Sequence, residues 1–386
     1  MAFRHMPRDS TAAPATLVLA NVLRNRTRLA IALIGVAFSV FLMVFQASLL
    51  VGFIQAAQRV VRSIDGTVWL VPHGVPCFDF AARLPRRYAE LARQTAGTID
   101  VVSVVSGFTT LVRPDGVRRP ILLVGSEPEA GTGFPFPESA DAGPRPPDGL
   151  SIDRSSAEML GSVTLPVRLE VAGFRGRVVR HVDGFASFLG SPYAFASYRD
   201  AHRMLGLDAE ESSFLVVRTR GDADPARVAA DLQRRFQDID VLTRDAFASR
   251  SAWFWLTQTG AGGAILVAAL LGFTIGLVIT SQTMYANTME QLDEFATLKA
   301  IGADNRTLAR LVIYQAVILG LVGALIGVGM TVPLVWLARA HLVAWIVTPW
   351  WLRAAAPAAG VAMCALGSLA SVTRVLAVDP ITVLRR

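Results

Sequence analysis

Of the 386 residues, 53% are hydrophobic and only 17% are charged, and the mean hydropathy is +0.46, a balance that excludes an ordinary soluble globular chain. The net charge of +7 does not indicate nucleic-acid binding, because the segment Gln55 to Thr259 holds 24 Arg against 24 Asp plus Glu and the excess sits at the chain ends. Two cysteines, Cys77 and Cys364, supply neither a disulfide framework nor a metal site and are expected to pack in cores.

In chain order, residues 1–28 read as a basic lead-in in which Ala15 to Arg28 forms a short amphipathic segment. Leu17, Ala20 and Leu23 face lipid there, and Asn21, Arg24 and Arg28 face phosphate headgroups. An ordinary basic flank without helical order is the alternative. The first apolar run, 29–54, exceeds the ~7–15 residues of a secretory signal core and lacks a clear cleavage site, so an uncleaved transmembrane helix is expected. Residues 55–259 form the one sizeable polar part and are expected to fold as a mixed α+β domain. Strands are predicted around Val101 to Val105, Ile121 to Val124 and Phe214 to Arg218, and a hairpin over Thr109 to Val124 turns at Pro114-Asp115-Gly116. Asp224 caps a predicted helix from Pro225 to Phe236, and Gly131 to Gly149 reads as an irregular loop or subdomain boundary.

Three more apolar runs follow, 260–283, 311–337 and 354–372, separated by a loop at 284–310 and a short outer loop at 338–353 and followed by a tail at 373–386. The fold class is thus an α-helical membrane protein with four transmembrane helices and an α+β extracytoplasmic domain inserted between helices 1 and 2. Arg4, Arg8, Arg24, Arg26 and Arg28 before the first run, and Arg374, Arg385 and Arg386 after the last, place both termini in the cytoplasm. Lys299, Arg306 and Arg310 put the 284–310 loop on the same side, whereas Arg339 and Arg353 argue the other way. Trp253, Trp255, Trp336, Trp345, Trp350 and Trp351 all fall at the outer ends of helices, the headgroup depth that amphipathic rings favour.

What is missing also informs. The apolar runs contain no Asp, Glu, Lys, Arg or His, which disfavours coupling to an ion gradient; Gln46 is read as an interhelical hydrogen-bonding residue. Lys299 is the only lysine and follows Leu298, so no phosphate-cradling Gly-Lys-Ser/Thr loop exists, and neither H-E-x-x-H nor G-x-S-x-G occurs. A non-catalytic chain with no cofactor of its own is expected.

In the 284–310 loop, Glu290 to Ala303 carries Phe295, Leu298 and Ile301 at helical spacing among charges, an amphipathic helix that Gly302 stops and after which Asp304 or Asn305 caps the next. The run Glu294-Phe295-Ala296-Thr297-Leu298-Lys299-Ala300-Ile301-Gly302-Ala303 resembles the cytoplasmic signature of MacB/FtsX/LolC-type ABC permeases, and its Ala-Thr-Leu-Lys-Ala core is most similar to the DevC-like subgroup. Asn21 to Leu29, Gly320 to Gly327 and Asp379 through Arg385 are similar to further segments of these permeases.

The resemblance implies a permease homodimer in the bacterial inner membrane, over two ATPase subunits that hold ATP and Mg, with its large domain periplasmic. It further implies a periplasmic adaptor (membrane-fusion) protein and an outer-membrane channel in a tripartite pump for a lipid-like or amphiphilic substrate. An FtsX-like regulator that drives an outside enzyme is the alternative. By the same resemblance Glu290, Glu294, Phe295, Leu298, Lys299, Ile301 and Gly302 face the ATPase, and Asp at Phe295 or Leu298 is expected to uncouple it without unfolding the outer domain. A plain amphipathic connector reads equally well from the residues alone. Gly272/Gly276 and Gly323/Gly327 have G-x-x-x-G spacing, and with Gly320 they serve either helix packing within one subunit or the dimer seam.

Overall fold

Val36, Val40 and Val44 recur every fourth residue and give the first helix, α1 (Arg26–Ser63), one apolar stripe that packs inward. The structure is a computed structural model that describes residues 26–127, 146–341 and 344–376. Of the described residues, those up to Val51 and from Ile265 onward form one unit, and those between Gly52 and Ala264 form a second. Among the described residues, four helices are long and apolar enough to cross a membrane: α1, α6 (Gly260–Glu290), α8 (Asn305–His341) and α9 (Trp350–Leu376).

Each helix outruns the apolar run that predicts it. Helix α1 continues past Ile54 because Val60 and Val61 turn into the core of the inserted domain, and α8 extends to His341 where the sequence places loop from 338. Hydropathy reports what lipid tolerates; backbone hydrogen bonding decides where a helix ends. The lead-in up to Asn25, and Asp379 through Arg385, lie outside the described residues.

The helical unit is closed at its glycines. A Cβ on Gly327 would sit 2.6 Å from the carbonyl oxygen of Ala37, and one on Gly323 2.6 Å from Cγ1 of Val36, so α8 lies directly on α1. Gly320 faces the backbone of Gly360 and Val361 in α9, Gly276 faces Ser39 and Met363, and Gly272 faces the Cγ of Gln46. All five glycines pack against the chain's own helices. Gln46 meets Gly272 through its methylene stem.

The inserted domain begins with β1 (Val68–Pro72), β2 (Leu84–Pro85), α2 (Arg87–Arg93), β3 (Thr98–Val112), β4 (Arg118–Ser126) and β5 (Gly149–Asp153). It continues with β6 (Val167–Val171), β7 (Phe174–Val182), β8 (Tyr193–Ser197), α3 (Tyr198–Met204), β9 (Glu211–Ser212), β10 (Phe214–Thr219), α4 (Pro225–Arg235), β11 (Ile239–Thr243) and α5 (Arg244–Thr257). Nine of the described strands form one sheet in the order β11-β1-β10-β3-β4-β8-β5-β7-β6. Because β3 is 15 residues long, its far end also pairs with β6 (Leu111 with Val171, Val112 with Glu170), closing six strands into a ring.

Period-2 alternation distributes the core. Trp69, Leu122, Val124, Phe195, Phe214 and Val216 face one side of the sheet with Phe247 of α5. Their neighbours Val68, Leu70, Leu215 and Val217 face α2 and α4 on the other, and Ile121, Leu123, Leu150 and Ile152 fill the ring beneath α3. The predicted hairpin turns where expected, with the Gly116 N–H donating to the Arg113 carbonyl at 2.9 Å and Gly116 at φ +84°. Asp224 accepts from the Ala226 N–H at 3.0 Å and caps α4. Of the loop read at 131–149, residues 131–145 lie outside the described residues, and Gly149 opens β5 instead, because Leu150 and Ile152 are needed inside the ring.

Candidate functional site

The signature-bearing segment forms an elbow between α6 and α8. Helix α7 (Leu292–Ala300) follows α6 after the single residue Gln291. Gln291 is buried, accepts from Gln315 Nε2 of α8 at 2.7 Å and donates through its own Nε2 to Asn287 Oδ1 of α6 at 3.3 Å. Helices α6 and α8 and the residue that precedes α7 therefore meet in one chain of amide hydrogen bonds, which fixes where α7 leaves the bundle. The polar Gln315 inside the third apolar run was a legible signal for this contact.

The far end of α7 is set by its backbone. The Ala303 N–H reaches back to the Leu298 carbonyl at 3.0 Å and the Gly302 N–H to Lys299 at 3.1 Å, with Gly302 at φ +106°. This is the paired closure of a Schellman motif, which favours glycine at that position. Two residues on, Asp304 accepts from the N–H and the hydroxyl of Thr307 and starts α8. Those bonds hold its carboxyl below the usual range, the hydroxyl contributing most.

The apolar residues of α7 do not share one face. Phe295 is only 5% exposed and packs with Leu308 and Val312 of α8 and Val375 of α9, whereas Leu298 is 37% and Ile301 81% exposed. Steps of three residues at about 100° each lag one turn by about 60°, so Ile301 lies about 120° round from Phe295. The single docking face drawn from the spacing is thus corrected: Phe295 locks α7 to the bundle, and Leu298 and Ile301 point away from it. Glu290, Glu294 and Gly302 are exposed and Lys299 is half-buried.

The inserted domain holds a second polar centre that the sequence did not reveal. Asp79, 1% exposed, accepts from the Tyr193 hydroxyl at 2.6 Å and from Trp255 Nε1 at 2.8 Å. It joins the loop after β1 to β8 and to α5. Burial pushes its carboxyl up against the lowering effect of both hydrogen bonds, and burial pushes the neighbouring Cys77 thiol up to about 12. Trp255 is therefore a buried domain residue and not the headgroup ring its position suggests, because its indole N–H is needed by Asp79. Trp253, Trp336, Trp350 and Trp351 remain exposed. Among the described residues, no group of three or more His, Cys, Asp or Glu side chains is placed to hold a metal.

Two family models divide the chain along these lines. The MacB-like periplasmic core domain matches residues 29–235, more than half the chain, and the FtsX-like permease C-terminal domain matches residues 266–380. Curated relatives include an uncharacterized ABC transporter permease of Mycobacterium tuberculosis, 24% identical over 357 residues, or 92% of this chain and 95% of the relative. Another, from Mycobacterium bovis, is 24% identical over 366 residues, or 94% and 97%. Among solved structures, the crystal structure of the periplasmic region of MacB from Actinobacillus actinomycetemcomitans is similar at 13% identity and a TM-score of 0.34, covering 48% of this chain and 92% of that one. With the signature elbow, the four membrane-length helices and the inserted sheet domain in place, the chain belongs to the MacB/FtsX family of ABC transporter permeases.

Proposed function

We propose that this permease receives motion from a separate ATPase at α7 and delivers it to its extracytoplasmic domain, driving a lipid-like or amphiphilic substrate outward. ATP and Mg belong to the partner chain in this reading. A permease homodimer sits in the inner membrane with both termini cytoplasmic, and a periplasmic adaptor and an outer-membrane channel complete a tripartite pump. The Ala296-Thr297-Leu298-Lys299-Ala300 core supports a place in the DevC-like subgroup.

The observation that carries this reading is the build of the elbow. Helix α7 is pinned on three sides, by the Gln315–Gln291–Asn287 chain, by Phe295 and by the Gly302 closure, and yet it holds Leu298 and Ile301 out. Exposed apolar residues on a short helix that cannot swing are what a rigid docking lever requires, because a push on them moves α6, α8 and α9 together.

Affinity purification of the full chain from native membranes in mild detergent, with mass spectrometry of what accompanies it, tests the proposal. Recovery of a P-loop ATPase with an adaptor is expected. An ATPase with a cell-wall hydrolase would assign the regulator role instead, and absence of any ATPase would overturn the reading.

A further inference from the structure

Within the inserted domain, arginine and apolar side chains share the end of the ring where the β3–β4 hairpin turns. Strand alternation sets the arginines. Leu169, Val171 and Val178 fill the ring, so Arg168 and Glu170 of β6, and Arg175 and Arg177 of β7, point outward. Arg168 stands directly opposite Arg177, and Glu170 opposite Arg175. On the other side of Glu170, Val112 of β3 separates it from Arg118 of β4 by two strand spacings, about 10 Å. Four arginines thus surround one glutamate, and none of the four is in an ion pair among the described residues.

Like charges directly opposite on neighbouring strands destabilise a sheet, and the acids around the Arg168–Arg177 pair are already engaged. Asp148, whose carbonyl accepts from the Arg177 N–H at 2.9 Å, pairs its carboxylate with Arg203 at 2.6 Å. Asp115 in the hairpin turn pairs with Arg113 at 2.8 Å. The apolar part comes from the segment between β5 and β6. Arg113, opposite Val117 in the hairpin, donates to the Met159 carbonyl at 3.2 Å, and a Cβ on Gly161 would meet its Nε at 3.0 Å. The segment is thereby held against the hairpin, and it runs into β6 at Val167, one residue before Arg168. On it Met159 is 37%, Val163 65% and Leu165 37% exposed, and Val117 is 40% exposed. Exposed apolar side chains rimmed by charge mark a binding surface.

We propose that this end of the ring binds an amphiphile with an acidic head, its phosphate or carboxylate held between Arg168 and Arg177 and its alkyl chain laid over Val163 and Leu165. Charge complementarity selects the occupant. A guanidinium fork matches the oxygens of either anion, a cationic head is repelled by two facing arginines, and an inorganic anion leaves the apolar residues in water. The inference rests on the export reading above and narrows its substrate to one sign of charge.

The test uses the full purified chain in a nonionic detergent with a diazirine-bearing alkyl phosphate, and the same diazirine chain on a trimethylammonium head for comparison. Peptide mapping by mass spectrometry reads labelling of residues 157–167 relative to the four membrane-length helices, which take up any alkyl chain. The phosphate probe should label 157–167 severalfold more than the ammonium probe, and added salt should narrow the gap. Arg168→Glu separates binding from folding, because it turns an opposed like pair into an opposed unlike one, which favours the sheet. Its thermal stability should hold or rise while labelling by the phosphate probe falls severalfold. Equal labelling by both probes, or undiminished labelling in Arg168→Glu, overturns the inference. Displacement of the probe by inorganic phosphate at equal concentration would reveal an anion site without a chain, and overturns it too. If neither probe labels the segment while Arg168→Glu releases a protein from the native-membrane pull-down, the surface serves that protein and the inference falls. Recovery of the ATPase in that pull-down is independent of all these outcomes, so the inference can fail while the export reading stands.

Discussion

Phe295 and Ile301 stand six residues apart and should fail in opposite ways. Phe295 is 5% exposed against Leu308, Val312 and Val375, so Phe295→Ala removes most of a buried aromatic ring, a change that costs about 3–5 kcal/mol in a packed core. At 1.36 kcal/mol per decade this is about a hundredfold or more in the local opening equilibrium of α7. Ile301, 81% exposed beyond the last turn, contributes little to packing, and Ile301→Asp should stay within about 0.5 kcal/mol of the parent. Hydrogen exchange of residues 292–300 in the full chain in nanodiscs reads the first quantity, and recovery of the ATPase in a pull-down reads the second. Phe295→Ala should lose both protection and partner, whereas Ile301→Asp keeps protection and loses the partner. Unchanged exchange in Phe295→Ala, or equal acceleration in both variants, would refute the assignment of inward and outward faces.

Two further outcomes follow from the geometry. Gly327→Ala drives a Cβ onto the Ala37 carbonyl of α1, which cannot rotate away, and should destabilise the bundle by about 1–3 kcal/mol. Gly329→Ala, with nothing within 4 Å, should be neutral or stabilising, and thermal unfolding in detergent that ranks the two the other way contradicts the packing. In the inserted domain, burial raises the folded pKa of Asp79 above its ordinary 3.8. Stability tied to its protonated form is therefore complete below that value and is lost as pH climbs through the raised one. Asn cannot ionise, so the melting temperature of Asp79→Asn relative to the parent should rise with pH above the ordinary carboxylate range; a flat difference would show that Asp79 does not ionise at a cost.

Local features were legible in the sequence and non-local ones were not. The Pro114-Asp115-Gly116 turn, the Asp224 cap and the Gly302 stop each depend on residues within a few positions, and the structure forms all three. The burial of Trp255 depends on Asp79, 176 residues earlier, so position beside a membrane helix was a misleading guide. Ring closure between β3 and β6 depends on register, which the apolar pattern of either strand leaves undefined. Phe295 was placed on the outer face because spacing defines a stripe but does not state which stripe the chain itself covers. Leu292, three residues before it and packed in the same cluster, was the available clue.

The two connections to the inserted domain differ in their backbone. Helix α1 crosses from one unit into the other in mid-helix, with no break between Arg26 and Ser63. An uninterrupted helix carries rotation and axial displacement over its whole length, because bending it strains many hydrogen bonds at once. The second connection is interrupted at Gln258 and Thr259, and Gly260, Gly262 and Gly263 occupy the first turn of α6. Glycine costs about 1 kcal/mol in a helix relative to alanine. Yet Gly262 has no space to spare, since a Cβ there would strike the backbone of Trp255 and Leu256. The Asp79 centre is tied to the end of α5 through Trp255 and holds β8 to α5.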